Sequence, residues 1–125
     1  MLSPGPQQHI FLAAQPVDMR GGFDRLAAQV LQAGLDPYAG HLYVFLSRRR
    51  THLKVLTWDG SGLVVLYKRL STGCFTRPDA PADGRAARLD PADLTELLQG
   101  LQVRGVRRSK TTPTPRPAID LHPKA

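Results

Sequence analysis

The stretch LYVFLSRRRTHLKVLTWDGSGLVVLYKRL, residues 42–70, decides the fold. Three apolar runs rich in β-branched and aromatic residues are separated by one cationic turn and one glycine-rich turn. That pattern predicts a β-meander with strands at about 41–47, 52–58 and 63–69. Asp59-Gly60-Ser61-Gly62 supplies the permissive backbone of a tight hairpin. The other hairpin tip holds Arg48, Arg49 and Arg50. Planar guanidinium forks donate paired hydrogen bonds to oxyanions, so a rigid tip presenting three of them suits phosphate. Tyr43-Val44-Phe45 and Val64-Val65-Leu66 are apolar on both strand faces. One face therefore needs a helix over it, and the other needs more chain or a partner.

Outward from the meander, residues 1–8 (MLSPGPQQ) read as a loose lead-in and His9 to Ala14 as a short strand. Asp18-Met19-Arg20-Gly21-Gly22 forms a turn that launches a helix over about 21–33. Phe23, Leu26, Ala27, Val30 and Leu31 recur there at helical spacing and make an apolar stripe. Gly34 stands where a left-handed C-terminal cap belongs. Residues 77–88 (RPDAPADGRAAR) read as a surface connection. A second helix over about 90–101 starts at Asp90 as N-cap, with Pro91 in the first position and Asp93 at the positive end of the dipole. Leu94, Leu97, Leu98 and Leu101 form its buried stripe. The fold class expected is α+β: one domain over 9–101, an antiparallel sheet of about four strands and two helices packed on it. Residues 102–125 form a basic, Pro-rich tail expected to be disordered.

The chain carries a net charge of +7, unevenly placed. Residues 42–78 hold seven Lys/Arg against Asp59 alone, and residues 101–125 hold six against Asp120 alone. Two basic regions in an otherwise acidic scaffold favour a polyanionic partner. Cys74 is the single cysteine, which excludes an internal disulfide, and it is expected to be buried or half-buried. No signal sequence or bilayer-length apolar run is legible, so the expected location is the cytoplasm and no membrane partner is expected.

Candidate chemistry follows from charge. Arg48, Arg49, Arg50, Lys54, Lys68 and Arg69 are the candidate nucleic-acid contacts, with Lys54 and Lys68 extending the tip into a stripe if they share a face. Arg104, Arg107, Arg108 and Lys110 are a second electrostatic contact, which adds affinity without reading sequence. Trp58, Tyr67, Tyr43 and Phe75 are candidate stacking surfaces for unpaired bases, each with core or cross-strand packing as its plainer reading. His52 beside the tip reads first as a solvated strand-end histidine. The dispersed histidines and lone cysteine match no metal-ligand spacing, so no cofactor or metal is expected. Asp59, Asp90 and Asp93 are explained by turns and caps, and no enzymatic activity is expected.

Several short motifs occur together in order. They are Asp18-Met19-Arg20-x-x-Phe23-Asp24-x-Leu26-Ala27, then Gly40-x-Leu42-x-Val44-Phe45, Arg49-Arg50, Lys54-x-Leu56-x-Trp58-Asp59-Gly60, and Tyr67-Lys68-Arg69-Leu70. Over residues 9 to 101 the chain resembles the TnpB-type accessory protein of the insertion-sequence family sixty-six, the product of that element's second reading frame. This is distinct from the RNA-guided nuclease that shares the TnpB name. The resemblance implies a bacterial mobile element that also encodes a DDE-type transposase and a second accessory protein, both expected partners. Thr51-His52 departs from the family pattern, where relatives tend to have an acid and a base. Asp18, Arg20 and Asp24 match the family's first motif; a carboxylate–guanidinium contact fixing the turn and a partner contact are its two readings.

The first functional hypothesis is a non-enzymatic transposition factor that contacts DNA at the element ends through the basic hairpin. The second is a protein–protein adaptor whose apolar sheet face docks on the transposase. The third is an enzyme with Asp18 and Asp59 near a metal. Apolar strand faces are compatible with a homo-oligomer as well as with a covering helix.

Overall fold

A computed structural model describes residues 7–76 and 85–100. The element order is β1 (Ile10–Leu12), α1 (Phe23–Gln32), β2 (Leu42–Leu46), β3 (His52–Trp58), β4 (Leu63–Arg69), β5 (Ala87–Leu89) and α2 (Pro91–Leu98). The three meander strands fall where the apolar runs put them, paired antiparallel with Leu46 opposite Leu53 and Trp58 opposite Leu63.

The sheet departs from the expected four antiparallel strands. It has five, in the order β4-β3-β2-β1-β5, and β1 runs parallel to β2. The reason is the connection: a strand followed by a helical crossover returns to the same end of the sheet and pairs parallel. The fifth strand overlaps the end of the stretch read as a surface connection and pairs antiparallel with β1, Leu89 opposite Ile10. At three residues it is too short to show alternation in the sequence.

The middle of the sheet is covered on both faces. Leu26, Ala27 and Val30 of α1 pack on Tyr43, Phe45 and Leu56. On the other face Leu94 and Leu97 of α2, with Phe75, close over Ile10, Leu12, Val44, Leu46, Leu53 and Val55. β2 is accordingly buried at every position. Phe23 and Leu31 of the expected α1 stripe are instead 49% and 59% exposed. The stripe is wider than the surface available, and Leu35, beyond the helix, joins the core in their place. Gly34 caps α1 with φ +82°. At α2, Asp90 accepts from the Asp93 N–H at 2.8 Å while Asp93 accepts from the Asp90 N–H, a reciprocal capping box behind Pro91. No helix among the described residues is long and apolar enough to cross a membrane. The tail 102–125, with Arg104, Arg107, Arg108 and Lys110, lies outside the described residues.

Candidate nucleic-acid interface

The strand directions bring one set of residues to one end of the sheet. The tip between β2 and β3 carries Arg48, Arg49 and Arg50, all exposed. β4 ends there, with Arg69 opposite His52. The chain after β1 stays beside β2 as far as Val17, whose N–H donates to the Leu46 carbonyl at 3.0 Å. The Asp18–Gly22 turn therefore opens at the same end. The last residues of α2 also reach it: the Lys68 ammonium donates to the Leu98 carbonyl, and a Cβ on Gly100 would contact Leu70.

The arginine tip is held from three sides. Arg50 N–H donates to the Ser47 carbonyl at 2.9 Å, closing the turn. Ser47 Oγ accepts from the N–H groups of Thr51 and His52 at 3.2 Å each. Behind the turn, the N–H of buried Phe75 donates to the Arg50 carbonyl at 2.6 Å. Arg50 has φ +60°, the one non-glycine residue among those described with positive φ. A side chain in that region is strained by about 1 kcal/mol or more, and such strain gathers at functional sites. Among the described residues no carboxylate pairs with Arg48, Arg49, Arg50 or Arg69.

Lys54 and Lys68 do not form a stripe with the tip. Neighbouring strand positions face opposite ways, and their register partners, Tyr67 and Leu53, lie on opposite faces. Lys54 is 7% exposed, and its Nζ donates to the carbonyls of Met19 and Gly21, both at 2.7 Å. Its charge is satisfied inside, where it ties the turn before α1 to the middle of the sheet. Lys68 is half-buried and meets a carbonyl at the C-terminus of α2, where a cation is favoured.

Asp18 and Arg20 form the turn contact expected of them. Arg20 N–H donates to Asp18 Oδ1 at 2.9 Å, and its guanidinium spans both carboxylate oxygens, the shortest contact being 2.7 Å. These hydrogen bonds hold the Asp18 carboxyl well below the usual carboxylate range. Asp24 sits exposed in the first turn of α1. A Cβ on Gly21 would lie 2.5 Å from Arg25 Cδ, so that position needs glycine unless the arginine moves. Asp18 and Asp59 lie at opposite ends of the sheet, which separates the two carboxylates of the metal hypothesis. Among the described residues no three His, Cys, Asp or Glu side chains are placed to hold a metal ion.

The four aromatic candidates separate cleanly. Phe75 and Tyr43 are core residues. The Tyr43 hydroxyl donates to the Asp36 carbonyl, and burial pushes its pKa up to about 12. Trp58 is half-buried edge-on to Tyr38. Tyr67 is 53% exposed, with His52 tilted beside it at 5.8 Å between ring centroids and Lys54 Nζ 4.6 Å over its ring. His52, Tyr67 and Arg69 line an open hollow of about 270 Å³. The signal that singles out Tyr67 is its place on an edge strand, which its residue type does not disclose. Cys74, expected to be at least half-buried, is exposed, because the chain turns Phe75 inward instead.

Comparison with known proteins agrees with the motif reading. The family model described as "IS66 Orf2 like protein" matches residues 8–108. Two similar curated proteins come from Sinorhizobium fredii (strain NBRC 101917 / NGR234). "Uncharacterized protein y4jC" is 38% identical over 109 residues, covering 86% of this chain and 92% of its own length. "Uncharacterized protein y4hO" is 39% identical over 105 residues, covering 83% and 90%. No solved structure matches. The ordered motifs from Asp18 to Leu70 and the match across most of the chain lead to one conclusion: this protein belongs to the IS66 Orf2-like family.

Proposed function

We propose that the protein is a non-enzymatic accessory factor in transposition of a bacterial insertion sequence, and that it contacts DNA at the element ends through Arg48, Arg49, Arg50 and Arg69. The observation that carries this reading is the tip itself. Three exposed arginines, without a carboxylate partner among the described residues, stand on a turn braced by Ser47 and Phe75, with Arg50 kept at positive φ. Lys54 and Lys68 support the scaffold, and the contact surface leaves them out. Arg104, Arg107, Arg108 and Lys110, outside the described residues, would supply a second, sequence-blind contact. Phosphate neutralisation at this end would help position the separate DDE-type transposase.

Fluorescence anisotropy on the element's terminal repeat and on a scrambled duplex, across a salt series, tests the reading. Preference for the repeat near physiological salt is the expected result. Changing Arg48, Arg49 and Arg50 together to Ala should lower affinity and flatten the salt dependence by about 0.9 log unit for each phosphate no longer neutralised. Weak binding that ignores sequence and is unchanged in the triple variant would remove the DNA role.

A second reading, an adaptor docking on the transposase, is favoured by β4. It is an edge strand of seven residues with Val64 and Tyr67 exposed, and sheet edges accept added strands. Under that reading the triple arginine variant still co-purifies with the transposase.

A further inference from the structure

Resting on the proposed DNA contact, we infer that Tyr67 and its neighbours form a seat for one unpaired DNA base, so that the protein recognises a frayed or single-stranded terminus in preference to closed duplex. Tyr67 is 53% exposed on edge strand β4, and its ring lies against His52 and Lys54 of neighbouring β3. Its surroundings fix it there. Lys54 Nζ lies 4.6 Å over the ring and is itself anchored by the Met19 and Gly21 carbonyls. His52 walls one side, its Nδ1 held 2.8 Å from Thr51 Oγ1. Arg69, opposite His52 in the register, completes the hollow.

The hollow, at about 270 Å³, is smaller than the roughly 300–1,000 Å³ clefts that engulf whole ligands, and it is open to solvent. It suits a single planar group laid against one ring. The adjoining chemistry says which planar group. Leu70 N–H donates to the Thr51 carbonyl at 3.0 Å, so the seat and the arginine tip are joined through one hydrogen-bonded pair of residues. A base on Tyr67 would have its own backbone beside Arg69 and the next phosphates toward Arg48–Arg50. An aromatic platform flanked by guanidinium groups is how single strands are held without sequence reading, each stack being sequence-tolerant because every base has a π-face. Paired bases keep their faces inside the helix and cannot reach a ring fixed on a sheet surface.

The experiment compares three DNA probes of the terminal sequence: blunt duplex, the same duplex with a short single-stranded overhang, and the single strand alone. Wild type, Tyr67→Ala, Tyr67→Phe and Tyr67→Ile are each measured, with Trp58 fluorescence confirming the fold. Wild type should bind the overhang or single strand at least several-fold more tightly than the blunt duplex. Tyr67→Ala and Tyr67→Ile should weaken binding to those probes by about 5- to 150-fold, the range for removal of one base stack, with little change on blunt duplex. Tyr67→Phe should keep the preference, and Ile keeps the strand's β propensity while removing the π-face. Equal binding to blunt and overhang probes, or a preference unmoved in both Tyr67→Ala and Tyr67→Ile, overturns the base seat and leaves the duplex contact standing. Absence of binding to all three probes overturns both together.

Discussion

The meander has two turns at opposite ends of the same sheet, built on opposite principles. At 59–62 the sequence itself supplies the turn: Gly60 takes φ +102° without a Cβ to strain, and Asp59 Oδ1 accepts from Ser61 N–H, Ser61 Oγ and Gly62 N–H. At 47–51 the residues are poor turn formers. Three arginines repel one another, and one occupies a conformation that suits glycine. Ser47 supports that turn from within, and the Phe75 N–H on the Arg50 carbonyl braces it from outside. A self-sufficient turn closes a hairpin; a braced turn displays something. That difference is the ground for proposing a DNA contact at the arginine end.

The comparison breaks most visibly at the brace. Phe75→Ala removes a fully buried ring from the α2-side core and should cost about 3–5 kcal/mol in denaturant unfolding. Its specific mark is that hydrogen exchange at 47–51 rises more than at 59–62. Equal loosening of both turns would show that the brace is only core packing. Lys54→Met comes next, at about 1.5–3 kcal/mol, because the Met19 and Gly21 carbonyls lose a charged donor. Duplex affinity of the folded variant should stay within about twofold of wild type, as expected for a cation that contacts no phosphate, which separates this buried cation from the exposed ones.

Smaller again is the paired glycine test. Gly60→Ala should cost about 1 kcal/mol, all of it backbone, since an added Cβ there meets nothing within 4 Å. Arg50→Gly runs the other way. Relief of positive φ offsets the entropy of a new glycine, so stability should hold or rise by up to about 1 kcal/mol. Its DNA affinity should fall and its salt slope shrink by about 0.9 log unit. A variant that folds better and binds worse would mark the strain at Arg50 as retained for contact. Unchanged affinity would reduce it to a tolerated defect.

Much of the fold is legible in the sequence, and the departures have specific causes. Strand limits at Leu42–Leu46, His52–Trp58 and Leu63–Arg69 follow from apolar runs bounded by turn residues. The α2 start follows from Asp90-Pro91 and Asp93. The parallel β1–β2 pair is implied by strand, helix, strand in that order, a crossover that an all-antiparallel sheet leaves out. β5 is hidden because three residues carry no period. At the candidate site, exposure of Arg48–Arg50 follows from the turn, whereas the burial of Lys54 does not. A lysine in a strand gives no sign that two carbonyls from a distant turn await it. Tyr67 likewise separates from Phe75 and Tyr43 only once the strand order puts β4 on the edge.

The two turns also part company in acid. The backbone N–H groups of Ser61 and Gly62, and then the Ser61 hydroxyl, hold the Asp59 carboxyl below its ordinary value near 3.8. A carboxyl depressed in the folded state binds a proton more readily once unfolded, so its contribution is complete above about pH 4 and is lost as pH falls through the folded value. In Asp59→Asn that dependence should vanish, because the amide oxygen can still accept from the turn but has no proton to gain. Asp18, held down by Arg20, should act in the same sense at the other end, and Asp18→Asn removes its share separately. Acid unfolding of the three proteins, followed by hydrogen exchange at each turn, assigns the loss. Protection at 59–62 should fade with acid in wild type and in Asp18→Asn, and stay level in Asp59→Asn. Fading at 59–62 that persists in Asp59→Asn would mean the glycine turn draws its stability from the strands beside it, and the contrast with the braced tip would then rest on backbone conformation alone.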